Sequence, residues 1–238
     1  MLPWTATPPV NLQATLARLF EHGARAVAME VSSHALDQKR VAGVQFRAAL
    51  FTNLSRDHLD YHGSMQAYFE AKAKLFLEHS PNAKIINIDS EYGNELANRC
   101  GDDVITVSTR FDRVANGRPY VFVRSVVASE GGSTVRVDTA WGSAEFTLSM
   151  PGDFNVANAV LVMATLLNEG VALDAVARDL PRAELCALRR LGPAERGGAG
   201  GGEKGGAGAR GRHLFLGRLL RRAARPERAD DATRGAGG

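Results

Sequence analysis

Phe51-Thr-Asn-Leu-Ser-Arg-Asp-His-Leu-Asp-Tyr-His-Gly63 is the stretch from which the rest of this 238-residue chain can be read. It begins inside an apolar run, Ala48-Ala-Leu-Phe-Thr52, that predicts a buried strand. It then packs Asn53, Ser55, Arg56, Asp57, His58, Asp60 and His62 into one short loop. A polar loop at the C-terminal end of a buried strand is where open α/β sheets hold their ligands. Ser64 then predicts an N-cap, and the helix it opens runs to about His79. The apolar stripe of that helix is Met65, Tyr68, Phe69, Leu75 and Phe76, and Lys72 stands at its centre where spacing calls for an apolar residue. Lys74 is expected to face water.

An amine withdrawn from water has its pKa pushed down, and a neutral amine is both base and nucleophile. Addition of carbon dioxide to such an amine gives a carbamate, an oxygen ligand suited to a hard cation. The competing reading of Lys72 is a stem lying along the apolar stripe with its ammonium carried to the helix edge.

Outward from this centre the chain alternates. Leu12, Leu16, Leu19 and Phe20 share a helical face closed by Gly23, and Arg25 to Val31 reads as a buried strand with Glu30 near its end. Past the Lys72 helix come a strand over Lys84 to Asp89, a helix over about Ser90 to Arg99 and a strand over Asp103 to Ser108. This βαβ rhythm predicts a parallel sheet with helices on its faces. Tyr120 to Ala128, Ser133 to Thr139 and Ala144 to Leu148 are β-rich runs between Gly-containing turns, so an antiparallel meander is expected to follow. A helix to about Asn168, closed by Gly170, and a short one over Leu173 to Leu180 end the patterned region. The fold class is α/β: a mostly parallel sheet flanked by helices, with an appended antiparallel β-meander.

The formal charge of +3 conceals a division: residues from Pro181 onward carry 13 Lys+Arg against 6 Asp+Glu, or +7, which leaves −4 for residues 1–180. The basic balance therefore belongs to the tail and does not indicate a nucleic-acid-binding fold. Cys100 and Cys186 are far apart and lack metal-ligand spacing, as expected for a reduced compartment. The longest apolar run, Val156 to Leu167, is too short to span a bilayer, and no signal peptide opens the sequence. A monomeric cytoplasmic protein without membrane or nucleic-acid partners is the expectation.

Glu30-Val-Ser-Ser-His-Ala-Leu-Asp-Gln-Lys-Arg40, the stretch ending in Asp57-His58-Leu-Asp-Tyr-His-Gly63, and Ala71-Lys72 together resemble the central domain of the Mur ligases over roughly residues 5–180. Within that family they are most similar to the ligases that add the third peptide residue, meso-diaminopimelate or lysine, to the UDP-linked muramoyl peptide of peptidoglycan synthesis. The resemblance implies that ATP phosphorylates the substrate carboxylate and an incoming amine then displaces the phosphate, a task of positioning and charge neutralisation. It implies ATP and Mg2+ as cofactors, with Glu30, His58 and a carbamylated Lys72 as metal ligands and with Lys72 and His58 as the catalytic pair. Mg2+ prefers oxygen, which suits the acid and the carbamate better than the histidine. Ser32, Gln38 and Arg40, with Thr7, match positions that hold the muramoyl peptide. Asn155 and Asn158 match a pair that approaches the adenine. From the residues alone, Glu30 reads equally as a solvated strand-end charge, His58 as a loop-ordering group, Arg40 as a surface charge and the asparagines as helix caps.

The family's phosphate-cradling Gly-x-x-Gly-Lys-Thr loop does not occur in the sequence. The expectation is an incomplete central domain over residues 1–180, whose own turnover of ATP is doubtful. Fourteen of the 25 glycines lie beyond Pro181, where residues 181–238 read as a disordered basic tail or as the product of a shifted reading frame. Two alternatives remain: a folylpolyglutamate or cyanophycin synthetase-like ligase, against which Ser32-Ser33-His34 and Tyr61-His62-Gly63 count, and a non-catalytic fragment.

Overall fold

The computed structural model describes residues 9–56, 59–149 and 152–180. The expectations placed on Thr7, on His58 and on residues 181–238 lie outside the described residues. Six strands form one sheet in the spatial order of the sequence: β1 (Ala48–Phe51), β2 (Ala83–Asn87), β3 (Ile105–Ser108), β4 (Tyr120–Ser129), β5 (Gly132–Thr139) and β6 (Gly142–Leu148). β1 to β4 are mutually parallel, and β4 to β6 form the antiparallel meander. The meander thus extends the parallel sheet through β4, which pairs on both sides.

Each helix follows from a local signal. α1 (Pro9–Glu21) ends before Gly23, whose φ of 79° only glycine adopts readily. α4 (Met65–Leu77) begins where Ser64 Oγ accepts a hydrogen bond from Ala67 N at 3.1 Å, and α5 (Glu91–Arg99) where Ser90 Oγ accepts from Gly93 N at 3.1 Å. α6 (Asp153–Asn168) is almost wholly apolar after its first turn, which marks a helix buried on most of its surface. α7 (Leu173–Asp179) follows it after Gly170.

Alternation along the strands divides the interior in two. Ile85, Ile105, Val107, Val121 and Val123 face α6, whereas Phe51, Ile86, Ile88 and Phe122 pack with Phe69, Phe76 and Leu96 of α4 and α5. Helices therefore cover both faces of the sheet, as the βαβ rhythm requires. A third, smaller cluster joins Leu12 of α1 to Leu36 and Val41, with Met29, Val31 and Leu75 against it.

Three local expectations are corrected. Residues 25–31 form no strand: they run without regular structure, Val27 is 44 % exposed, and Ala28 packs on the α6 side while Met29 and Val31 join the third cluster. The apolar run supplies the side-chain alternation of a strand, but strand formation also needs a hydrogen-bonded neighbour. Ser33–Asp37 forms a short helix, α2, and Leu59–His62 another, α3, where loop was expected. Phe20 is 79 % exposed although it shares the apolar face of α1. Among the described residues no helix is long and apolar enough to cross a membrane.

Candidate functional site

The parallel strands β1 to β4 end on one side of the sheet. Lys72 sits in the middle of α4, and its Nζ donates to the backbone carbonyl of Val31 at 3.1 Å. Burial pushes the pKa of this amine down, and the negative charge of Glu30 works in the opposite direction. The amine of Lys72 is thus brought to the end of the segment that carries Glu30, with the two groups in electrostatic contact. Glu30 itself is exposed. The amine is bonded to a backbone oxygen, and Lys72 as a whole keeps intermediate exposure.

Ser32, Gln38 and Arg40 surround α2. Ser32 is the N-cap, its Oγ accepting from Ala35 N at 3.2 Å. Gln38 closes the helix, and its Nε2 donates to Tyr61 Oη at 3.3 Å. The amide of Arg40 bonds back to Ala35 O at 2.8 Å, so its position follows that of α2. Two of the three candidate substrate residues are therefore also the caps of one five-residue helix.

Asn155 and Asn158 lie in the first turns of α6 and are partly exposed. The orientation of α6 fixes where they stand. Its last residue, Asn168, lines a crevice of about 110 Å³ with Ala83, Lys84 and Ile105, which are at the starts of β2 and β3. Glu169 likewise pairs with Arg47, just before β1, at 2.5 Å. The far end of the helix, with both asparagines, accordingly lies toward the ends of the parallel strands. Gly152, not an asparagine, occupies the N-cap, so the capping alternative does not hold for either residue.

Sequence reading missed the groups that hold these pieces together. Asp37 accepts from Tyr61 Oη at 2.9 Å and from Lys74 Nζ at 2.9 Å. The Lys74 hydrogen bond, then that of Tyr61, lower the pKa of Asp37, and Asp37 raises that of Lys74. Lys74 lies on the exposed side of α4, as expected, and there it is also an ion-pair partner of Asp37. Ser33, 1 % exposed, shares a hydrogen bond with His62 Nε2 at 2.8 Å. The rings of His34 and Tyr61 are 4.1 Å apart, and His62 stacks on Tyr68. Their one sequence signal was density: polar residues in two short segments that both follow apolar runs. Beside them, at the ends of β2 and β3, Asp89 accepts from Ser108 Oγ, from Thr109 N at 2.9 Å and from Thr109 Oγ1 at 2.7 Å, tying the two strand ends together.

Comparison with known proteins gives this geometry a context. The Mur ligase middle domain matches residues 4–166. The chain is 43 % identical over 190 residues to the UDP-N-acetylmuramoyl-L-alanyl-D-glutamate--2,6-diaminopimelate ligase of Ectopseudomonas mendocina, covering 79 % of this chain and 38 % of that protein. The ligase of the same name from Neisseria meningitidis serogroup A is 43 % identical over 175 residues, 72 % of this chain and 35 % of that protein. A solved structure of a ligase bearing this name superposes with a TM-score of 0.66 at 28 % identity, over 74 % of this chain and 36 % of that one. A crystal structure of MurF from Acinetobacter baumannii shares the fold, with a TM-score of 0.51 at 21 % identity over 64 % of this chain and 31 % of that one. The chain thus spans under two fifths of the length of these curated relatives.

Proposed function

The chain belongs to the Mur ligase family through its middle domain, and from that premise we propose that it serves an ATP-dependent ligase joining a diamino acid to UDP-N-acetylmuramoyl-L-alanyl-D-glutamate. The diaminopimelate ligases named above favour that diamino acid over lysine and favour this reading over a folylpolyglutamate-type enzyme. The observation that carries the proposal is the inward amine of Lys72, 3.1 Å from Val31 O and within the field of Glu30.

A magnesium ion fits this donor set in one chemical form. An ammonium at Lys72 would repel a cation, whereas the same nitrogen carrying carbon dioxide supplies anionic oxygens of the kind Mg2+ prefers. Burial favours the neutral amine that the addition requires. Glu30 and the carbamate of Lys72, with His58, would then hold the metal, whose contribution is to neutralise phosphate charge as the acyl phosphate forms. The protein's remaining work is positioning. Arg40 would bind an anionic group of the muramoyl peptide through its guanidinium fork, with Ser32, Gln38 and Thr7 as further contacts. Asn155 and Asn158, at the same end of the sheet, would bind the adenine.

Carbon-13 NMR of protein equilibrated with labelled bicarbonate tests the central feature. A carbamate carbonyl signal that is absent from Lys72→Met is expected. A spectrum identical in the two proteins, together with no calorimetric binding of UDP-N-acetylmuramoyl-L-alanyl-D-glutamate, would refute the proposal.

A further inference from the structure

The hydrogen bonds around Tyr61 leave Gln38 little freedom. Asp37 is the last residue of α2, and its ionised carboxylate can only accept. Tyr61 Oη, 2.9 Å from Asp37 Oδ2, must therefore spend its single proton there. Its oxygen is then available only as an acceptor, and the Gln38 group 3.3 Å away has to be the donor, its NH2. Nε2 and Oε1 of an amide look alike and are assigned from their partners, but here the assignment follows from proton bookkeeping along the chain of groups. Lys74 Nζ, 2.9 Å from Asp37 Oδ1, holds the far end of that chain in its ionised state. No donor among the described residues is hydrogen-bonded to Gln38 Oε1.

We propose that Tyr61 and Asp37 are positioning residues that lock the Gln38 amide in one orientation, so that Gln38 offers Oε1 to the muramoyl peptide and recognises a hydrogen-bond donor on it. This rests on the substrate class proposed above and deepens it. The selected group on the ligand is an amide N–H or a sugar hydroxyl, and a phosphate or carboxylate oxygen is rejected because it would meet a like acceptor. The lock also crosses elements: Gln38 caps α2, α3 carries Tyr61, and α4 carries Lys74 on the same helix as Lys72. A helix of five residues has no stability of its own. Its orientation is set by the packing of Ala35 and Leu36 in the third cluster, together with these bonds and the Ser33 contact with His62.

The test is a double-mutant cycle on the whole 238-residue chain, with binding of UDP-N-acetylmuramoyl-L-alanyl-D-glutamate read by calorimetry and folding by circular dichroism. Tyr61→Phe keeps the ring and removes the hydroxyl. It is expected to weaken binding roughly two- to tenfold, the worth of one neutral hydrogen bond. Gln38→Ala should weaken it at least as much, and adding Tyr61→Phe to Gln38→Ala should change nothing further, because the tyrosine acts only through the glutamine. Equal losses in both backgrounds, or no loss in Tyr61→Phe, would overturn the proposal while leaving the substrate reading intact. Folded wild-type protein that does not bind the nucleotide peptide would overturn both. The Gln38 side-chain NH2 resonances supply a readout without ligand: they should shift in Tyr61→Phe, and unchanged resonances would also defeat the lock. If Tyr61→Phe does not fold, Asp37→Asn replaces it. The new amide can donate to Tyr61, free its proton for Gln38 Oε1 and reverse the amide, with the same loss of binding expected.

Discussion

Replacing Lys72 by methionine separates the two forces acting on its amine. Methionine matches the stem in length and removes the ammonium together with its hydrogen bond to Val31 O. A hydrogen bond from a charged donor contributes about 1.5–3 kcal/mol, and an orphaned carbonyl is part of that loss. Against it stands the desolvation of the ammonium, several kcal/mol for an ion fully removed from water. Because burial outweighs the attraction of Glu30 and the amine's pKa is depressed, the desolvation side is the larger. In buffer freed of carbon dioxide, Lys72→Met is therefore expected to be as stable as wild type or more so, by up to about 2 kcal/mol at neutral pH.

The pH dependence carries the sign. The unfolded lysine titrates near about 10.4, and in the folded protein the proton leaves at lower pH. Between those two values the unfolded chain binds more protons, so wild-type stability rises with pH. The advantage of Lys72→Met should accordingly shrink as pH rises toward about 10.4. Urea unfolding of both proteins across that range is the assay. A variant about 2 kcal/mol or more less stable than wild type at neutral pH, by a margin that does not change with pH, would show a well-satisfied ammonium. It would remove the basis for a carbamate at this position.

Three further outcomes are expected. Gly93→Ala should destabilise by about 1–3 kcal/mol in chemical denaturation, since a Cβ there would lie 2.0 Å from Asn87 O, a backbone atom at the end of β2. Asp89→Ala should cost about 1–3 kcal/mol by leaving Ser108 and Thr109 donors unpaired, and it should raise hydrogen exchange at Thr109 and Arg110 before any other backbone site. The Asp37 carboxylate, its pKa lowered chiefly by Lys74, contributes stability above the ordinary carboxylate pKa of about 3.9; that contribution is lost as pH falls through the lower folded value. It should be small, about 0–1 kcal/mol, for so exposed a pair, and an NMR titration of the Tyr61 ring should report the release in that acid range.

How much of this was legible in the sequence depends on whether a residue's role was local. The cap of α4 was legible: Ser64 starts its helix because a hydroxyl two or three residues before an amide meets it whatever the tertiary context. The meander was legible because its turns and alternation are local too. Residues 25–31 misled because an apolar alternation reports which side chains are inward and says nothing of whether a neighbouring strand supplies hydrogen bonds. Lys72 was legible as an anomaly in the stripe, but its partner was not, since Val31 lies 41 residues away. Tyr61, Asp37 and Lys74 were invisible as a set for the same reason: their bonds join three elements, and each residue alone resembles an ordinary surface group.

The two lysines of α4 show how one helix can sort identical side chains into different chemistry. Lys72 and Lys74 are two positions apart, which on a helix of 3.6 residues per turn turns them about 200° from each other. One amine is carried toward the sheet end, where burial depresses its pKa. The other meets Asp37, which raises it. The first is the amine on which the proposed carbamate would form, and the second pairs with the carboxylate that accepts a hydrogen bond from Tyr61. Exchange of the two environments would need a rotation of α4 by half a turn, and the burial of Tyr68, Phe69 and Phe76 on its inward side opposes that rotation more than the exposed ion pair of Lys74 with Asp37 can.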